Sequence, residues 1–120
     1  MSQLTSFRLM ARYNEWMNRN VYDAAATLTD EQRKEDRGAF FHSIHGILNH
    51  LLVCDWIWTA RFGWRDFTAT SLDQELFSDF DSLRSAREST DSDIIQQVEA
   101  LTEADLERVV TFRAISRPME

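Results

Sequence analysis

The sequence predicts an all-α fold, and three observations carry that prediction. Three Gly and one Pro in 120 residues leave few places for tight turns. Apolar residues recur at steps of three and four over segments much longer than an ordinary strand. At two places a Ser or Thr stands three residues before a Gln, the spacing of a helix-opening capping box.

The first helix is expected from Leu4 to about Leu28, with Phe7, Ala11, Asn14, Met17, Val21 and Ala24 or Ala25 on one face. Arg8, Arg12, Glu15, Arg19 and Asp23 fall mostly elsewhere. "TDEQ" (Thr29 to Gln32) opens a short helical turn, and "RKEDRG" reads as a solvated break ending at Gly38. The second long helix should start at an N-cap, Ser43, and stop at a C-cap, Gly63. Its stripe is Ile44, Ile47 or Leu48, Leu51, Asp55, Trp58 and Phe62, widened by Leu52 and Trp56 on one flank and by Cys54 and Ile57 on the other. So broad an apolar surface must be covered on more than one side, as in a bundle.

"SLDQ" (Ser71 to Gln74) is expected to open a third long helix, with Leu76, Phe80, Leu83, Arg87, Thr90, Ile94, Val98 and Leu101 as its stripe. The polar patch "RESTDSD" in its middle leaves a kink or break open. After the short turn "EADLER", the β-branched run "VVTFRAI" reads as a short strand or extended loop. The chain is expected to form one domain over residues 1–120 and to stop at Glu120 before a further element, as if C-terminally incomplete.

Composition narrows the function. The net charge is −7, from 13 Lys+Arg against 20 Asp+Glu, which disfavours binding to phosphate backbones. A single Cys excludes an internal disulfide and suits a reducing compartment. No apolar run approaches the length of a membrane span or signal segment, so a cytoplasmic protein is expected, with no nucleic-acid and no membrane partner.

The three histidines all lie in "FFHSIHGILNHLLVCDWIW". His42 and His45 stand at the helix entrance, where the expectation is partly exposed first-turn residues rather than a metal pair. His50 lies along an apolar flank with Ile47 and Cys54, and is read as a hydrogen-bonded core histidine in preference to a ligand. Cys54, one turn on, could chelate zinc with His50, but two ligands make a weak site, so a small buried hydrophobe is preferred. Ser43 is committed to its cap rather than to nucleophilic chemistry. No paired-carboxylate site or phosphate-cradling glycine loop can be located, so the catalytic residues are unassigned. Gly46 inside a helix suggests close approach to a neighbouring helix. Trp56, Trp58 and Trp64 are read as core packing rather than a cavity lining.

Two stretches, "ARYNEWMNRNVYDAA" (Ala11 to Ala25) and "SIHGILNHLLVCDWIWTARF" (Ser43 to Phe62), resemble the opening helices of the DinB family. The combination of Asn14 and Trp16 with Asn49-His50-Leu51-Leu52, Asp55, Trp58 and Arg61 carries the resemblance. It implies an up-and-down four-helix bundle, often dimeric. It also implies a divalent metal, zinc or nickel, on three histidines: one in the "NH" motif, where this chain has His50, and two on a last helix. Some relatives are metal- and thiol-dependent transferases or isomerases that use a low-molecular-weight thiol. Asn49 and Asp55 are then candidates for supporting polar contacts. This chain has no histidine after His50, so the expectation is an incomplete metal site with weak or absent metal. The last helix is expected to be missing or supplied by a second copy, which makes a homodimer the expected state. The alternative is a non-catalytic helical dimerisation or interaction module.

Overall fold

The computed structural model of the protein describes residues 2–112. They form four α-helices, α1 (Gln3–Ala26), α2 (Asp30–Lys34), α3 (Ile44–Arg61) and α4 (Phe80–Glu99), and one 3-10 turn (Asp105–Glu107). Among the described residues there is no strand, only an isolated bridge between Ala39 and His42. The fold is all-α, as the spacing predicts. The chain divides into two compact units, residues 2–28 with 84–109, and residues 29–83 with 110–112.

The first unit holds α1, most of α4 and the 3-10 turn. Ser2 caps α1 by accepting the Thr5 N–H at 3.1 Å. Its buried residues are Ala11, Tyr22 and Ala25, whereas Met17 and Val21 are exposed. The inward face is thus turned from the expected stripe toward Asn14, Asn18 and Tyr22. The reason lies on α4, where "RESTDSD" does not break the helix and splits between two faces: Glu88, Ser89 and Asp93 are exposed, whereas Arg87, Thr90 and Asp91 are each no more than 2% exposed. Asp91 accepts from Arg87 at 2.6 and 3.1 Å, from Asn14 at 3.2 Å, and from Asn18 at 3.0 and 3.2 Å. A buried carboxylate needs such partners, so the asparagines on α1 turn inward to supply them. A polar cavity of about 60 Å³ adjoins this cluster, lined in part by Asn18, Tyr22, Arg87 and Asp91. Burial pushes the Tyr22 hydroxyl up to about 12; the Asp91 charge adds to the rise, while Arg87 and Arg84 oppose it.

The second unit holds α2, α3 and the segment that joins α3 to α4. Thr29 and Gln32 form the capping box expected of them, at 2.9 and 3.1 Å. Ser43 caps α3, and Gly63 follows its C-cap with φ 84°. Both bounds of α3 match the sequence expectation because capping is local chemistry. The third long helix does not start at Ser71. Gln74 reaches back to the Thr70 N–H at 2.9 Å, Ser71 donates to Asp73 at 2.7 Å, and residues 70–79 are turns and bends. Asp79 opens α4 instead, by accepting the Ser82 N–H and hydroxyl, each at 2.8 Å. A small apolar core forms from Val53, Ile57 and Ala69, with Phe67 and Leu76 packed on it.

On α3 the buried apolar residues are Leu48, Leu52, Val53 and Ile57, while Ile47, Leu51 and Trp58 are exposed. The expected stripe is therefore rotated. Trp56 meets Phe67 and Phe77 edge-on, as a packing residue should, but Trp58 is 44% exposed and is not core. Residues 109–112 carry no regular secondary structure; the rest of "VVTFRAI" lies outside the described residues.

Candidate functional site

All three histidines belong to the second unit, and the fold gives each a different task. His42 precedes α3 with φ 72°, an uncommon conformation for a residue other than glycine, and its ring is exposed with Asp36 at 3.7 Å. It takes no part in a site.

His45 corrects the sequence reading. It is only 6% exposed, not a partly solvated first-turn residue. Its Nε2 lies 2.6 Å from Glu75 Oε1. A carboxylate oxygen only accepts, so Nε2 carries the proton of that bond. Nδ1 is buried and has no hydrogen-bond partner among the described residues. Glu75 lies in the joining segment, thirty residues along, which is why local sequence could not show the pair.

One turn later Asn49, 2% exposed, holds the same segment through its backbone. Its Oδ1 accepts from Leu76 N–H at 2.8 Å and Phe77 N–H at 3.1 Å, and its Nδ2 donates to the Phe77 carbonyl at 3.2 Å. Nδ2 also reaches the His45 carbonyl at 3.2 Å on its own helix, so Asn49 clasps residues 76–77 to α3.

His50 is half-buried rather than a core histidine, and its ring is held by a hydrogen bond and a stacking contact. Nδ1 donates to the Leu72 carbonyl at 2.8 Å, which places the proton on Nδ1 and leaves the Nε2 lone pair open in the neutral ring. Phe41 stacks on the imidazole with centroids 3.7 Å apart and planes 18° from parallel. Gly46 makes that stacking feasible: a Cβ there would sit 2.1 Å from the Phe41 carbonyl oxygen. The close approach expected at Gly46 is real, but the neighbour is the turn before α3, not another helix.

The open Nε2 faces Cys54, whose Sγ lies 3.4 Å away. With Nδ1 protonated, the thiol is the donor of this contact. Burial, helped by the neighbouring Asp55 charge, pushes the Cys54 thiol up, so it is held in the protonated form. Cys54 is thus more than the small hydrophobe expected of it, although it is half-buried as a thiol. Ser43 spends its oxygen on the Gly46 N–H at 2.9 Å and is a cap, as expected.

His50 and Cys54 are the donor atoms the fold brings together here. Among the described residues no three His, Cys, Asp or Glu side chains gather as a metal-ligand group. Among the same residues, no helix is long and apolar enough to cross a membrane.

The family model described as DinB family matches residues 1–119. No curated protein and no solved structure matches the chain. A match over nearly the whole length, on an all-α chain with three long helices, leads to one conclusion: this chain belongs to the DinB family.

Proposed function

We propose that this chain is a divalent-metal-binding DinB protein related to thiol-dependent S-transferases, with His50 as the ligand it contributes. The supporting observation is the setting of His50. A metal-binding imidazole commonly donates its second ring N–H to a carbonyl or carboxylate, which sets the tautomer and aims the other nitrogen. Here the Leu72 carbonyl takes Nδ1–H, Phe41 clamps the ring, and Nε2 is left without its proton beside Cys54. The nearest soft donor, Cys54 Sγ, is at a distance compatible with two atoms sharing one zinc-sized ion.

The donor set is too small for a resident catalytic metal. A catalytic zinc site uses three protein ligands and keeps a fourth position open. His50 and Cys54 provide two, so no chemical step is derived through a metal, and zinc or nickel binding by one chain is expected to be weak. The substrate class follows from the family relation: a low-molecular-weight thiol together with an electrophile.

Zinc titration of chelator-treated protein, followed by calorimetry, tests the assignment. Weak uptake that disappears in His50→Ala, and falls in Cys54→Ser, is the expected result. Uptake that is equal in the wild type and His50→Ala would refute it.

A second reading is favoured by a different observation. Large apolar side chains on α1 and on α3 (Ile47, Leu51, Trp58) face solvent. Monomeric proteins seldom leave such rows uncovered. In this reading the chain is a non-catalytic helical module that works by association with a second copy. Sedimentation velocity tests it, and a single monomeric species at all concentrations would defeat it.

A further inference from the structure

We infer that residues 72–77 form a strap that sets the tautomer of His50, with Glu75, bonded to His45, as the positioning residue that holds the strap to α3. The purpose of the strap rests on the reading of His50 given above, whereas its test reads the imidazole directly.

Three polar side chains of α3, His45, Asn49 and His50, all bond to this one segment. Residues 70–79 are turns and bends, so no helix or strand of their own fixes their course. The place of the Leu72 carbonyl therefore depends on what ties the segment to α3. Asn49 makes one tie and uses its whole capacity: Oδ1 accepts two backbone N–H groups, and Nδ2 donates to the carbonyls of His45 and Phe77. Glu75 makes the second tie, through its 2.6 Å bond from His45 Nε2. Only Asp73 and Gln74 separate Glu75 from Leu72, and both are braced, by Ser71 at 2.7 Å and by the Thr70 N–H at 2.9 Å. A shift at Glu75 is thus passed on to the Leu72 carbonyl.

An imidazole is a poor space-filler at position 45. The residue is buried and its Nδ1 has no hydrogen-bond partner among the described residues, whereas an apolar ring would leave no polar atom unsatisfied there. What the imidazole adds is the N–H that fixes Glu75, a residue whose own side chain is 54% exposed. At His50 the consequence is chemical. A free neutral histidine carries its proton mainly on Nε2, but the Leu72 carbonyl, 2.8 Å from Nδ1, draws it to Nδ1 and leaves Nε2 bare. The Cys54 thiol, 3.4 Å from Nε2, favours the same form. If the strap moves away, Nδ1 loses its acceptor and Nε2 regains the proton, which removes the lone pair the ring offers.

Long-range proton–nitrogen NMR correlation on the full chain, at mildly alkaline pH, reads which ring nitrogen of each histidine is protonated. A Cys54→Ala parent removes the thiol, so that the strap acts alone, and His50→Gln assigns the signals. In the parent, His50 should show a protonated Nδ1 and a bare Nε2. Glu75→Ala should mix in the other tautomer and move the two His50 nitrogen shifts toward each other. His45→Phe, which fills the ring's place without its N–H, should do the same. Glu75→Gln keeps an oxygen that accepts from His45 and should restore the parent pattern. Circular dichroism is the folding control; the exposed Glu75 side chain can be truncated without opening the core.

A folded Glu75→Ala chain whose His50 pattern equals the parent's would overturn the strap and leave the zinc titration above to decide the metal reading separately. Glu75→Gln behaving as Glu75→Ala does would also overturn it, since the charge and not the hydrogen bond would then be the link. A parent with the His50 proton on Nε2 would overturn both the strap and the ring setting on which the metal reading relies.

Discussion

Gly46 shows how one missing methyl group places a side chain elsewhere. The Phe41 carbonyl occupies the space a Cβ would need, and that closeness lays the Phe41 ring on His50. Gly46→Ala has therefore to push backbone, not a flexible tip. It should lower the urea midpoint by the equivalent of about 1–3 kcal/mol, even though alanine is the better helix former. Gly63→Ala differs in kind: nothing crowds it, and the loss comes from its φ of 84° alone. Tyr22 gives a prediction in pH. Its folded-state value, about 12, is raised above the ordinary tyrosine value of ~10. Stability is then complete below pH ~10 and is lost as pH rises toward the folded value, in total on the order of 2–3 kcal/mol. Tyr22→Phe should flatten that limb, and absorbance titration of tyrosinate should show one of the two tyrosines ionising late. At this scale the sequence was readable wherever partners are neighbours. Ser43, Gly63 and the Thr29–Gln32 box are local. His45 was misread because its partner, Glu75, lies thirty residues on and enters by folding.

Among the elements, α4 departs furthest from its pattern. Its polar middle suggested a break, yet it is continuous because Arg87 and Asp91 pair one turn apart and the α1 asparagines complete the shell of Asp91. Asp91→Ala would take the carboxylate from a buried guanidinium and should cost about 3–5 kcal/mol in denaturant unfolding. Replacing both by apolar residues, Arg87→Met with Asp91→Leu, should recover a good part of the loss, because no uncompensated charge remains. The start of α4 is pH-dependent in the other direction. The Ser82 N–H and hydroxyl hold the Asp79 carboxyl below the usual aspartate range. A lowered folded value means the cap's contribution is present above the unfolded value and is lost as pH falls through the folded one. Helicity in acid should therefore fall earlier in the wild type than in Asp79→Asn, which keeps an oxygen acceptor but does not titrate. The cap box at Ser71 could not be told from the working cap at Asp79 by spacing alone. Gln74 found the Thr70 N–H instead, and that choice places Glu75, Leu76 and Phe77 within reach of His45 and Asn49.

At the scale of the whole chain, charge and exposed apolar surface act against each other. A net charge of −7 keeps copies apart at neutral pH, and solubility should be lowest near the isoelectric point of about 4.9. Raising salt at neutral pH should strengthen self-association, since it screens the repulsion and leaves apolar contact intact; sedimentation at two ionic strengths checks this. The candidate site was legible only in part. His50 stands out in the sequence through the Asn49-His50 pair, but its orientation comes from Leu72 and Phe41, residues that no spacing rule attaches to it. What the sequence settled unaided was the all-α class, the ends of α3 and the acidic, breaker-poor character of the chain, because periodicity, capping and charge are properties of near neighbours. Which face of each helix is buried, which histidine is covered and where α4 begins were decided by tertiary structure. Those outcomes turn on pairs such as Asn18–Asp91 and His45–Glu75, whose energy exists only once distant segments have met and left water together.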